Sequence, residues 1–232
     1  MTDIQTLPAG LFEKYPKLIS ELDQLLKERE RQMRLFAGTL AGGRGLLEDA
    51  LHQAIVDRSL SIISGFIDMI IAANFSCAAV LVRLQMDSML RLYFIAQHPA
   101  ERTRVIQEWS SGKGFDKIPM MNGQKRKLND RELKDEIMPI FPTVHAVYGE
   151  LCDYVHLSSK YFQMTVTHYD ATTHRSHCEI GAQKDYLPET EYKKLFLWLT
   201  TFTKLISDSL DEWGILKKAL PSKCMTNNEG NQ

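Results

Sequence analysis

The stretch VLVRLQMDSMLRLYFIAQH (80–98) decides how this chain is read. It is apolar enough for an internal helix, yet it carries Arg83, Asp87 and Arg91 at four-residue intervals. Between Asn74 and His98, 16 of 25 residues are apolar, so the helix is expected to lie largely inside the fold. Burying charge is costly unless the charges are paired. The stripe is therefore either an internal ion-pair ladder or one wall of a polar site. At 100° per residue, Asp87, Arg91 and His98 all fall within about 80° of Arg83. The four share one narrow face and can meet a common ligand or partner chain.

Working outward, helical patterns dominate. Leu11, Leu18, Leu22, Leu25, Leu26 and Met33 predict an amphipathic helix over 11–36, with KERERQMR (27–34) as its wet face. LAGGRG (40–45) breaks it, with three glycines in four positions. That stretch lacks the lysine-serine/threonine ending and the preceding strand of a phosphate loop, so it reads as a linker. A second helix is expected from Leu46 to Ala72, and a third to His98, where Pro99 disfavours continuation. AERTRVIQEW (100–109) follows. NDRELKDEIM (129–138) has the Asn129/Glu132 spacing of a capping box, and Pro139 and Pro142 stop it. Thr143 to Phe162 reads as one further helix. QMTVTHYDATTHRSHCEIGA (163–182) alternates β-formers with polar residues and predicts a small hairpin or ordered loop. The closing helix carries the stripe Leu195, Leu199, Phe202, Ile206 and Leu210. With no βαβ alternation, the fold class is all-α: a bundle of five to six helices with one small β excursion near 163–182. The expected organisation is one helical domain over 1–220, with 11–36 as a separable arm and a mobile tail over 221–232.

At 232 residues the chain can bury a sizeable core without metal or disulfide. A net charge of −1 argues against a general polyanion binder but leaves room for a local basic patch. Cys77, Cys152, Cys178 and Cys224 form no CxxC pair, and Cys77 and Cys152 are expected as buried reduced thiols. Asp68 and Asn74 interrupt the most apolar run, so no membrane span is expected, and no basic-then-apolar leader opens MTDIQTLPAG. These features point to the cytoplasm, and no cofactor is implied.

Four constellations carry candidate chemistry. In the ladder, either Asp87 bridges both arginines or one arginine is left to grip an anion through its planar fork. In the helix holding Cys152 and Lys160, His156 is placed mid-helix facing inward, either as a satisfied core histidine or as a proton-transfer group opposite Arg83 or Arg91. His168, His174, His177 and Cys178 have no standard zinc spacing; they are surface histidines or, less simply, a metal site. SGKGFDKIPMMNGQKRK (111–127) is a long basic loop in which Lys113, Lys117, Lys125, Arg126 and Lys127 can neutralise phosphates and Phe115 can stack on a base. No hydrolase elbow, zinc-protease or nucleotide-binding glycine motif is present.

LVRLQMDSMLRLYFIAQH and, further on, YGELCDYVHLSSKYF resemble a group of bacterial all-α proteins placed with HEPN-like helical domains and the abortive-infection proteins of phage defence. The resemblance covers residues 46–162 and rests on Arg83, Asp87 and the VHLS around His156. HEPN ribonucleases carry an Arg, a short spacer and a His near a helix end; Arg91 and His98, with six residues between them, match it. Leu92 departs from the polar residue that usually follows the Arg. The resemblance implies metal-independent RNA cleavage at a homodimer interface, with His98 or His156 acting on the 2′-hydroxyl and Arg91, or Arg83 with Asp87, steadying the phosphate. It equally allows RNA binding without cleavage, in a defence or toxin setting. The alternative is a non-catalytic adaptor or sensor that docks a partner protein or clamps a small anion between Arg83 and Arg91.

Overall fold

The structure, a computed structural model, describes residues 10–40, 45–121, 123–156, 158–178, 181 and 187–219. The tail 221–232 and most of the 40–45 linker lie outside the described residues. Nine α-helices and one two-stranded sheet are present among the described residues, which is the expected all-α bundle with a small β excursion. No helix among them is long and apolar enough to cross a membrane.

The N-terminal pattern divides where the sequence reading joined it. Pro16 removes an amide and restricts Tyr15, whose φ of −127° and ψ of 74° are not helical. The result is α1 (Leu11–Lys14) followed by α2 (Leu18–Leu40). α2, the helix expected as an arm, packs along α9 (Glu189–Ala219). α3 (Leu47–Ile71) and α4 (Phe75–Gln97) form a hairpin whose turn uses Ala73 in the left-handed region. The Asn74 side chain caps α4 by accepting from the Cys77 amide at 3.2 Å. Pro99 opens α5 (Pro99–Ser110).

α4 is the axis of the bundle, packed against α3 and α9 and against α6 (Asp130–Ile137) and α7 (Val144–Val155). The fully buried Gln85 of α4 donates to Ser59 of α3 (2.6 Å) and to Thr203 of α9 (2.9 Å). Directional bonds of this kind in an apolar core fix the register of three helices at once. α6 runs parallel to α4, because Arg91 meets Asp130 and His98 meets Glu136. α7 runs antiparallel, because Phe75 meets Tyr154 and Arg83 meets Tyr148.

The helix expected over 143–162 also divides, into α7 and α8 (Ser159–Thr165). His156 and Ser158 are extended, and the Ser158 hydroxyl donates to the Asp153 carbonyl at 2.8 Å, capturing a helix-end acceptor. The predicted hairpin is present as β1 (Val166–Asp170) and β2 (Arg175–Cys178).

One corner joins α2, α3 and α9. Asp49 accepts from the Trp213 indole (2.9 Å) and from Lys217 (2.8 Å), and the His52 ring stacks on Trp213. His52 Nδ1 donates to the Glu48 carbonyl at 2.8 Å. Burial holds the His52 pKa below its ordinary value, so the folded chain keeps it neutral. The unfolded chain protonates it below about pH 6.5, so stability falls as pH drops through that point, by at most about 1.4 kcal/mol per pH unit. Denaturation between pH 7.5 and 5.5 is expected to show this slope, and His52→Phe, which keeps the ring stack, is expected to flatten it.

Candidate functional site

The charged stripe of α4 converges on one residue of α6. The Asn129 side chain accepts from the Glu132 amide at 3.1 Å and starts α6, leaving Asp130 as the first helical residue. One Asp130 oxygen accepts from Arg83 (3.1 Å) and the other from Arg91 (2.7 Å). Asp87 pairs with Arg83, while Arg91 reaches back to the Asp87 backbone carbonyl at 2.8 Å. The carboxylate that bridges both arginines is therefore Asp130 and not Asp87.

Arg83 is buried, with its guanidinium 4.1 Å from the centre of the Tyr148 ring. Burial opposes its charge, but the bond to Cys152 and the neighbouring Tyr148 and Asp130 more than offset that, and its pKa is raised. Lys134, also buried, lies 5.3 Å from the centre of the same Tyr148 ring and pairs with Asp135. The place an anion would take between Arg83 and Arg91 is held by a carboxylate of the chain itself, so the two-arginine clamp expected for a small ligand is filled.

His98 turns from the same face of α4 toward α6. Its Nε2 is 3.1 Å from the Glu136 carboxylate, and its ring lies 4.3 Å from that of Phe94. Thus Arg83, Arg91 and His98 do share one face, and α6 covers it. His156 is placed differently from the inward, mid-helix position expected for it. It follows the last residue of α7 and is exposed. It lies one turn beyond Cys152 on the antiparallel helix, at the opposite end of the α4–α7 contact from Arg91 and His98. The two histidine candidates belong to different ends of the bundle. The side chain of Lys160 lies outside the described residues.

The basic loop is folded. Ile118, Met120 and Leu128 are buried, the Met120 amide donates to the Arg126 carbonyl (2.8 Å), and the Leu128 amide to the Ile118 carbonyl (2.9 Å). Arg104 of α5 donates to the carbonyls of Pro119 (2.9 Å) and Met120 (3.3 Å). Lys117, Lys125 and Lys127 are exposed, and no ion pair among the described residues reaches them. Arg126 pairs with Glu132 and Lys113 with Glu108. Phe115 is half-buried, packed 5.9 Å from Trp109 and 5.7 Å from the Arg91 guanidinium, so it is not the isolated ring on a mobile loop that the sequence suggested.

Where the loop leaves α5, a groove of about 430 Å³ opens against α3. Arg58, Arg91 and Lys113 line it together with Ile55, Trp109 and Phe115.

The hairpin histidines are exposed. His168 and His177 face each other across the strands at 6.2 Å, and His174 contacts the Tyr169 hydroxyl. Among the described residues no group of three or more His, Cys, Asp and Glu has the arrangement to hold a metal. Cys77 is exposed in the first turn of α4, not buried as expected; Cys152 is half-buried, Cys178 exposed, and Cys224 lies outside the described residues.

No protein-family model, curated protein or solved structure matches the chain. Its chemistry is read from its own side chains. Those the sequence reading missed are Asp130, Tyr148, Arg58 and Trp109. Arg58 carried a usable signal, a lone cation in the apolar run of α3; Asp130 did not, since nothing in a capping sequence says which arginine 39 or 47 residues away it will meet.

Replacing Asp130 by Asn keeps the shape and leaves both arginines short of a counter-charge. Because Asp130 is partly exposed, the expected loss in denaturant unfolding is about 1–3 kcal/mol, below the full cost of breaking a buried pair. A change within about 0.5 kcal/mol of zero, the size of an ordinary surface substitution, would show that the bridge is not central.

Proposed function

We propose that the chain is a HEPN-like RNA-binding protein of a bacterial anti-phage defence or toxin setting, holding strand phosphates on its 111–127 loop. The observation that carries this is the loop's construction. Three buried apolar residues pin it, and Lys117, Lys125 and Lys127 project from it without acidic partners among the described residues. Cations held on an ordered support lose less entropy when they engage phosphates than cations on a free coil. Their neighbour Arg126 is already neutralised by Glu132, which sets it apart.

Cleavage is a second reading, favoured by the His98–Glu136 pair. A carboxylate that orients an imidazole equips it as a general base near neutrality. His98 would take the proton of a 2′-hydroxyl while Arg91, held by Asp130, faces the phosphate. The family resemblance supports a homodimer for this chemistry and makes His156 the competing base. A helical adaptor is the rival class.

Fluorescence anisotropy with single-stranded RNA at two salt concentrations tests the binding reading. The triple change Lys117→Ala, Lys125→Ala, Lys127→Ala is expected to lower the slope of log affinity against log salt by about 2, at roughly 0.7 per phosphate contact. Arg126→Ala is expected to do less than any of the three. If wild type binds no RNA, the adaptor reading takes its place. For cleavage, His98→Ala should abolish RNA degradation and His156→Ala should spare it; equal rates for both variants and wild type would remove the second reading.

A further inference from the structure

We infer that the groove between α3 and the start of the basic loop is a binding site for a single nucleotide unit, with Arg58 as its phosphate-gripping residue. This deepens the RNA reading and shares with it the assignment of phosphate to this part of the molecule.

The groove has two kinds of wall. Ile55, Trp109 and Phe115 form an apolar side, in which the two rings lie 5.9 Å apart, tilted by 32°. Arg58, Arg91 and Lys113 supply positive charge from three different elements. Two of these cations have counter-charges, Arg91 in Asp130 and Lys113 in Glu108. Arg58 has no ion pair or hydrogen bond among the described residues. Partial desolvation in the groove and then the nearby Arg91 push its pKa down, only partly opposed by Asp130. Of the three cations only Arg58 has no acid among the described residues in contact with it, and an anion in the groove supplies one.

The shape agrees. Gly112 has φ +94°, a conformation side chains rarely adopt, and it leaves that side of the groove open. The one acid on the lining, Asp116, is folded back against Gly114, where an added Cβ would sit 2.6 Å from its carboxylate. A volume of about 430 Å³ belongs to the small end of ligand sites, which run from roughly 300 to 1,000 Å³. A flat aromatic base carrying a phosphate can set its π-face on one wall and its charge on the other; a bare inorganic anion uses only one, and an uncharged aromatic only the other. Such a unit is either a free mononucleotide or one residue of a bound strand.

Calorimetry with adenosine 5′-monophosphate, adenosine and inorganic phosphate tests this on the full chain. The nucleotide is expected to bind at least about tenfold more tightly than either half, since a charge-assisted bond to Arg and base stacking each contribute on that scale. It should quench the Trp109 fluorescence, identified by the loss of signal in Trp109→Phe. Arg58→Ala, a change at an exposed residue that leaves folding intact, should weaken the nucleotide about tenfold, with Arg58→Lys intermediate. The Lys125→Ala, Lys127→Ala pair should leave nucleotide affinity unchanged while weakening RNA. Displacement of labelled RNA by the nucleotide would place one strand residue in the groove; binding without displacement would identify a free nucleotide as the ligand. Nucleotide binding in a protein that binds no RNA would uphold the site and end the RNA reading. No saturable nucleotide binding, or equal affinity in Arg58→Ala and wild type, would overturn the site even if RNA still bound.

Discussion

One carboxylate organises the charged half of this bundle. Asp130 divides its two oxygens between Arg83 and Arg91, two turns apart on α4. Without it the most apolar helix of the chain would carry two arginines against one aspartate in a partly water-excluded interface. With it, α6 is laid parallel to α4, and the loop before α6 is brought up to α5 and α3. The remaining groups fit around that bond. Tyr148 and Cys152 of α7 close over Arg83, and His98 finds Glu136 one and a half turns further along α6. The ion pairs do not have to be strongly net-stabilising to matter here. A buried pair gains little over an apolar substitute but fixes orientation, because every misregistered arrangement strands a charge.

The elements were mostly legible and the partnerships were not. Asn129, Pro99, Asn74 and the stripe on α9 each announce local structure through backbone chemistry that needs no distant partner. The shared face of Arg83, Arg91 and His98 also followed from helical period alone. What covers that face did not, because Asp130 and Glu136 are ordinary polar residues of a short surface-type helix until tertiary packing turns them inward. Two boundaries failed for local reasons that periodicity does not weigh. Pro16 breaks the first pattern through its restriction of Tyr15, and extended backbone at His156 and Ser158 ends α7 early. The second failure moved His156 from an interior position to the surface, and with it one of two candidate bases.

The cations of this molecule differ in which of them are already satisfied. The ladder on α4 is rich in arginine and electrostatically closed. The open positive charge lies elsewhere, on Arg58 at the groove and on three lysines across the basic loop. A chain with near-zero net charge can still present such local fields, because neutrality over the whole sequence says nothing about where the acids are.

The segment from Lys113 to Glu136 is fastened at several places: by Glu108 at its start, by Arg104 under Pro119 and Met120, and by Arg91 and His98 at its end. Its groove-facing side and its lysine-bearing side therefore ride on one latch. Were a strand to seat on the lysine side and a nucleotide in the groove, as proposed, each would meet a strip of chain that the other also holds. Two surfaces that do not touch are in this way carried by one multiply fastened strip of chain.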